Sequence, residues 1–309
     1  MKIIFMGTPD FAVPPLAALI DNGFDIAAVV TQPDKPRGRG GNSSFSPVKR
    51  FAAERGIRVL QYEKIGAEGL GDLKGFAPDL MVTAAYGQIL TREIIDIPKY
   101  GILNVHASLL PKYRGAAPIQ QAVINGDAET GVTIMRTELQ LDRGDILVQK
   151  RLQIAESDTA GDLFIKLAAL GAEAVIEGVN ALKNGTAVFL RQNDADAVYC
   201  KTIRKEDARI SFEKTPVEIV NFIRGMNPFP TAFTKLDGET VKVFRAETIG
   251  DAGAAAHICG DIISADAKNG LIVAAKGGAV RLAEIQFPGG KRMSGADYLR
   301  GHGIKAARI

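Results

Sequence analysis

Over its first two-thirds the chain alternates short apolar, β-branched runs with stretches of helical period, and no other feature restricts its fold as much. Lys2–Met6 is the first such run, and Gly7-Thr8-Pro9-Asp10 stops it at once. Phe24–Thr31, Ile57–Leu60, Asp79–Thr83 and Gly101–Val105 repeat the pattern. Between them Phe11–Asn22, Pro47–Arg55 and Ala116–Asn125 read as helices. Strands too short and too uniformly apolar for one wet face, joined by helices, predict an α/β fold with a doubly wound, mostly parallel sheet. Two further extended segments follow, Gly131–Thr137 and Asp145–Ile154. A long amphipathic helix over Thr159–Lys183 comes next, with Ser157 or Asp158 as the expected N-cap and Asn184-Gly185 as the stop.

The pattern then changes. Residues 186–204 show no clear period and read as a linker between a domain at 1–185 and another at 205–309. Thr215–Met226 reads as a helix, broken by Asn227-Pro228-Phe229-Pro230. About five short strands between Gly- and Asp-rich turns follow, then a helix near Gly295–His302, which together predict a small β-barrel. A length of 309 residues suits two domains.

Composition narrows the class without naming a function. The chain is 46% hydrophobic and 24% charged, the balance of a globular protein with a large core. The first apolar run is too short for a signal-peptide core, and no stretch approaches the roughly 18 apolar residues of a membrane span, so a cytoplasmic protein without membrane partners is expected. Cys200 and Cys259 lack metal-type spacing and suit a reducing compartment. The net charge is +3, all of it within residues 205–309. Residues 31–50 are locally basic, with Lys35, Arg37, Arg39, Lys49 and Arg50 against Asp34 alone. Either segment could touch phosphates, although solvated surface charge is the commoner explanation.

Chemistry concentrates in Asn104-Val105-His106-Ala107-Ser108-Leu109-Leu110-Pro111, which begins at the carboxyl end of an expected strand. In open α/β sheets ligands bind at that edge. Asn104 and His106 are two apart, so an extended chain points both the same way. An amide beside an imidazole can stabilise an oxyanion and shuttle a proton. A lone pair of this kind is more often a satisfied strand end. Here, however, His106 is one of only three histidines, beside His257 in an expected barrel strand and His302 in the tail. Ser108–Pro111 adds a backbone-rich loop suited to a flat heterocycle, and Leu141-Asp142-Arg143-Gly144-Asp145 a loop carboxylate. Gly7-Thr8-Pro9-Asp10 stands where a dinucleotide enzyme would have its glycine fingerprint, and no Walker loop, Gly-x-Ser-x-Gly elbow or Cys/His cluster occurs.

The Asn104/His106 pair, Ser108–Pro111 and Leu141-Asp142-x-Gly144-Asp145 together resemble the folate-dependent formyltransferase family. Four stretches resemble its methionyl-tRNA branch in particular: residues 7–11, 31–40, 115–120 and 126–135. The resemblance implies a Rossmann-like formyltransferase domain followed by an OB-like domain. It also implies 10-formyltetrahydrofolate as co-substrate, no metal, initiator methionyl-tRNA as partner, and a monomer. Asn104, His106 and Asp142 become the implied catalytic groups, Ser108, Leu109, Leu110 and Pro111 the folate-binding ones, and Arg37 and Arg39 the tRNA contacts. Two departures from the family pattern stand out. Gly41-Asn42-Ser43-Ser44 replaces the usual lysines, and Gln140 and Arg143 flank Asp142 where smaller residues are typical. A UDP-amino-sugar formyltransferase would share the chemistry, but the segments at 32–40 and 115–119 speak against it. A silent tRNA- or folate-binding module would have no need of the Asn/His/Asp set.

Overall fold

The computed structural model describes residues 1–36, 43–250 and 256–309. The chain separates into two compact units. The first comprises Met1–Gly115, Glu129–Gln153 and Phe164–Cys200; the second comprises Ala116–Ala128, Ile154–Leu163 and Lys201–Ile309.

The first unit is built on a seven-stranded sheet. Its strands are β1 (Lys2–Gly7), β2 (Asp25–Thr31), β3 (Val59–Gln61), β4 (Leu80–Ala84), β5 (Ile102–His106), β6 (Glu129–Arg136) and β7 (Ile146–Gln153). They lie in the order β7-β6-β5-β4-β1-β2-β3. Pairing is parallel from β3 to β5, whereas β6 and β7 add antiparallel edge strands. The order reverses between β1 and β4, so a crevice for ligands opens at the carboxyl ends of those strands. The five residues of β4 and the last five of β1 are buried, as expected where both sheet faces are covered.

Helices α1 (Val13–Asp21), α2 (Pro47–Ala53) and α3 (Leu70–Phe76) belong to this unit. Two prolines open α1, fixing φ where the missing N–H has no helical partner anyway. Ser46 caps α2 by accepting the Lys49 N–H at 3.2 Å. On one side of the sheet Ile4, Met6, Val30, Met81 and Ile102 pack with Leu73 of α3 and with Ile65 and Ile94. Helix α5 (Ala160–Lys183) buries Leu167, Val175 and Val179. Its Gly171 comes against Val105 and Pro15, and its Gly178 against Leu103, Ile134 and Leu147. The cap of α5 is neither Ser157 nor Asp158. Thr159 and Asp162 form a reciprocal box in which the Thr159 hydroxyl accepts the Asp162 N–H at 3.2 Å and the Asp162 carboxylate accepts the Thr159 N–H at 2.9 Å. Asp158 instead accepts the Ala155 N–H at 3.0 Å, closing the turn before it.

Residues 186–204 run along the first unit as far as Cys200. Leu190 bridges Ile146, and Tyr199–Cys200 pairs in parallel with Arg114–Gly115.

In the second unit, α4 (Pro118–Ile124) accompanies α6 (Pro216–Gly225), whose capping box joins Thr215 and Glu218. An antiparallel sheet follows with β8 (Ala232–Leu236), β9 (Glu239–Ile249), β10 (Ile262–Asp266), β11 (Gly270–Ala275) and β12 (Gly278–Gln286), in the order β8-β9-β12-β11-β10. Helix α7 (Gly295–Gly301) closes it. Ile219 and Ile223 of α6 meet Val243, Val273, Leu282 and Ile285 in one apolar core, with Ile124 of α4 against its margin. His257 lies in a bend and not in a barrel strand, because β10 starts only at Ile262. Among the described residues no helix is long and apolar enough to cross a membrane.

Candidate active site

Strand β5 delivers Asn104 and His106 to the carboxyl edge of the sheet. Asn104 sits between Thr83 of β4 and Met135 of β6, and His106 beside Thr133 of β6. The Thr83 hydroxyl, itself buried, donates to Asn104 Oδ1 at 2.9 Å. That contact holds the acceptor end of the amide and leaves its two N–H groups for a ligand.

His106 is 6% exposed, and its Nε2–H donates to the Tyr113 carbonyl at 3.0 Å. A carbonyl only accepts, so Nε2 keeps its proton in either charge state of the ring. Nδ1 is therefore the ring nitrogen with a lone pair to offer in the neutral ring. It faces Asp142 Oδ2 at 3.7 Å, too far for a direct hydrogen bond and close enough for the carboxylate to attract a protonated ring. An atom placed beside the pair could touch both.

Asp142 adopts a left-handed backbone, φ 49°, which Asp tolerates better than most residues. Its carboxylate accepts the Gly115 N–H at 2.8 Å. Gly115 has φ 121°, and a Cβ there would stand 2.1 Å from the Cys200 carbonyl oxygen. Only glycine fits. The clamp on Asp142 thus depends on the short Arg114–Gly115 pairing with Tyr199–Cys200.

The Ser108–Pro111 loop is held in place by hydrogen bonds to several of its polar groups. Thr133 donates its hydroxyl to the Ser108 carbonyl at 2.7 Å and accepts the Leu110 N–H at 3.1 Å. Gln149 of β7 donates to the Leu110 carbonyl at 2.7 Å, and Ser108 Oγ donates to the Lys112 carbonyl at 2.6 Å. What the loop presents to a ligand is mainly its shape and any backbone group not engaged in this way. At the β1/β4 crevice, Thr8 Oγ and the Gln32 side chain both donate to the Tyr86 carbonyl, at 3.2 and 3.1 Å. This draws residues 7–8, 31–32 and 86 into one corner, although they are far apart in sequence.

Arg37 and Arg39 lie outside the described residues. Of the basic residues beside them, Lys49 is already engaged, because it forms an ion pair with Asp34 and also donates to Gln61 at 2.7 Å.

Several supporting residues have no clear signal in the sequence. Thr83 could have been found by pairing β4 with β5 in register. Gln149 and Thr133 belong to strands read from hydropathy alone. Arg114 and Gln192 are buried polar residues in segments with no period. Arg143, on the Asp142 loop, joins Gln140 and Asp194, so the bulky flanking pair ties the loop down. Asp194 is held below the usual carboxylate range, first by Arg143 and then by Arg114.

A family model described as "Formyl transferase" matches residues 1–179, and one described as "Formyl transferase, C-terminal domain" matches residues 202–303. The methionyl-tRNA formyltransferase of Ruminiclostridium cellulolyticum is 46% identical, over 98% of this chain and 97% of that one. That of Caldanaerobacter subterraneus subsp. tengcongensis is also 46% identical, over 100% and 99%. Among solved structures, the N-formyltransferase of Helicobacter canadensis in complex with folinic acid and dTDP-3-aminofucose superposes with a TM-score of 0.68 at 21% identity, covering 95% of this chain and 100% of its own. The sugar 3N-formyl transferase WlaRD, crystallised with dTDP and 5-N-formyl-THF, gives 0.67 at 22%, covering 91% and 96%. At that identity these two speak for the fold alone.

Proposed function

Because the chain belongs to the formyl transferase family, we propose that it transfers the formyl group of 10-formyltetrahydrofolate to the α-amino group of methionine on initiator tRNA. The observation behind this reading is the convergence of Asn104, His106 and Asp142 at the carboxyl edge of the sheet. It occurs in a chain that aligns over nearly its whole length with relatives named for that reaction.

The geometry suits acyl transfer between two nitrogens. The methionine amine attacks the formyl carbon, and the carbonyl oxygen becomes an oxyanion. The Asn104 N–H groups, set by Thr83, donate to that oxygen. Neutral His106 accepts the proton lost by the amine at Nδ1, and the imidazolium so formed is stabilised by Asp142 on one side and the Tyr113 carbonyl on the other. When the carbon–nitrogen bond to the folate breaks, His106 returns the proton to N10. Tetrahydrofolate and the formylated amine leave. Donors aimed at a developing charge in a water-poor site commonly contribute about 3–4 kcal/mol each, and a positioned acid–base group about 100- to 10,000-fold.

Ser108, Leu109, Leu110 and Pro111 form the wall for the flat heterocycle of the folate. Arg37 and Arg39 meet phosphates of the tRNA acceptor arm, and the C-terminal β unit supplies further tRNA contact. All three catalytic groups come from one chain, so a monomer suffices, and the cytoplasm is the compartment in which this acceptor is met.

The test is formyl transfer by the purified protein from 10-formyltetrahydrofolate, offered charged initiator tRNA, charged elongator tRNA or a dTDP- or UDP-linked amino sugar. Transfer to initiator methionyl-tRNA supports the reading. Transfer only to the nucleotide sugar, or none to any acceptor, overturns it.

A further inference from the structure

The side chain of Gln192 lies in the segment after α5, far from Asp142 in sequence, and is 6% exposed. Each of its hydrogen-bonding groups is used. Its Nε2 donates to two carbonyls of the catalytic loop, Asp142 at 2.9 Å and Gly144 at 2.8 Å. Its Oε1 accepts two bonds from Arg114, from Nε at 3.0 Å and Nη2 at 2.8 Å. The amide can face only one way, because the reverse would put oxygen against two carbonyls and N–H groups against a guanidinium. Arg114 is itself 1% exposed and is completed by Asp194 Oδ1 at 3.0 Å and the Tyr199 hydroxyl at 3.2 Å. On the other side the loop has no slack: a Cβ on Gly144 would stand 1.7 Å from the Arg136 carbonyl oxygen.

We propose that Gln192, braced by Arg114, is a positioning residue for formyl transfer, fixing the Asp142–Gly144 backbone so that the Asp142 carboxylate stays beside His106 Nδ1. The inference rests on the function proposed above. Asp142 is held at two points, its carboxylate by the Gly115 N–H and its backbone by Gln192. Its left-handed conformation gives the loop no intrinsic reason to stay in place. Releasing the backbone lets the carboxylate swing about the Gly115 contact. Gln192 touches no reacting atom in this scheme and acts only through Asp142.

Two substitutions separate positioning from general stability. Gln192→Glu keeps an acceptor for Arg114 but turns an oxygen toward the two loop carbonyls. Gln192→Met removes the donors while preserving volume. Each is made alone and with Asp142→Asn in the full-length chain. Expected for the single variants is a fall in kcat of about 10- to 100-fold, the scale of a misplacement near 1 Å. The KM for charged tRNA and the affinity for tetrahydrofolate should stay within about threefold, and amide hydrogen exchange across residues 141–145 should accelerate. In the Asp142→Asn background the Gln192 change should alter kcat by less than about twofold, because its target is already gone.

An unchanged kcat, or an equal loss in both backgrounds, overturns the proposal. Collapse of both variants on purification also overturns it, by assigning Gln192 to folding. If the wild-type protein formylated no tRNA, the functional reading would fall, while the exchange measurement would still report whether Gln192 fixes the loop.

Discussion

Replacing Gly115 by alanine tests whether a backbone N–H holds Asp142, the carboxylate of the proposed proton relay. The new Cβ would lie 2.1 Å from the Cys200 carbonyl oxygen and 3.2 Å from its carbon. Ordinary carbon–oxygen contacts start at about 3.3 Å, so the two strands must separate by about 1 Å. The opposing atom is backbone in a paired bridge, not the end of a flexible side chain. A φ of 121° adds conformational strain of about 1–3 kcal/mol for a non-glycine residue. Moving residue 115 also stretches the 2.8 Å bond to Asp142 Oδ2, a contact to a charged acceptor of the class worth about 1.5–3 kcal/mol. Partial relaxation should leave a net loss of about 2–4 kcal/mol, a fall in Tm of about 4–16 °C. Asp142 is then misplaced by about 1 Å, for which a loss near 100-fold in kcat is expected, with tetrahydrofolate affinity retained. The assay is steady-state formylation of charged initiator tRNA below the variant's Tm, beside a melting curve. Thr215→Ala serves as the control, since it removes a helix cap in the other unit, at about 1 kcal/mol, and should leave kcat alone. A folded Gly115→Ala protein with kcat within threefold of wild type would refute the clamp.

Four further outcomes follow from the same geometry. His106→Ala should lower kcat by about 100-fold or more while preserving tetrahydrofolate binding, and wild-type turnover in the variant would remove His106 from the mechanism. Asp142→Asn should cost a comparable factor, and the double variant should lose little beyond either single one. Additive losses would give Asp142 a separate task. Asp194 has a lowered pKa because Arg143 and Arg114 favour its ionised form, so its contribution to stability is complete above the ordinary carboxylate value of 3.8 and is lost as pH falls below it. The stability gap between wild type and Asp194→Asn should accordingly be level from about pH 5 upward and close in stronger acid, and a gap that widened in acid would contradict the pairing. Arg39→Ala should raise the KM for charged tRNA and make the salt dependence of tRNA binding shallower by about one unit of slope, which titration against potassium chloride would show or deny.

Much of the architecture was legible because hydropathy is a local signal. Ile3, Ile4, Phe5 and Met6 are apolar in succession, a pattern that suits a short strand covered on both faces, and the same holds for Leu80–Val82. Asn104 and His106 could be assigned one direction because strand geometry has a period of two. The sequence places the cap of α5 one or two residues early because Ser157, Asp158 and Thr159 are all capping types. The reciprocal partner, Asp162, three residues after Thr159, distinguishes them. Gln192 carried no such clue. Its meaning depends on Arg114, Asp142 and Gly144 meeting it in space, and a glutamine in an aperiodic segment reads as solvated surface.

That difference reflects how the site is assembled. Asn104 and His106 sit on a central strand whose position is fixed by apolar burial, so they are ordered as soon as the sheet forms. Asp142 stands on a loop with Leu139 and Leu141 exposed, and little apolar burial anchors it. Directional contacts from other segments hold it in place: the Gly115 N–H, the Gln192 amide, and the Arg143–Asp194 pair. Such bonds contribute modest net stability, about 1 kcal/mol for a neutral one and about 1.5–3 kcal/mol for one to a charged group, but their geometry is strict, and strict geometry is what the proposed proton relay requires. A loop held this way belongs to the less stable part of the molecule and opens before the sheet does. Variants that loosen it should therefore lose turnover while the bulk of the fold, and the binding surface it provides, remains intact.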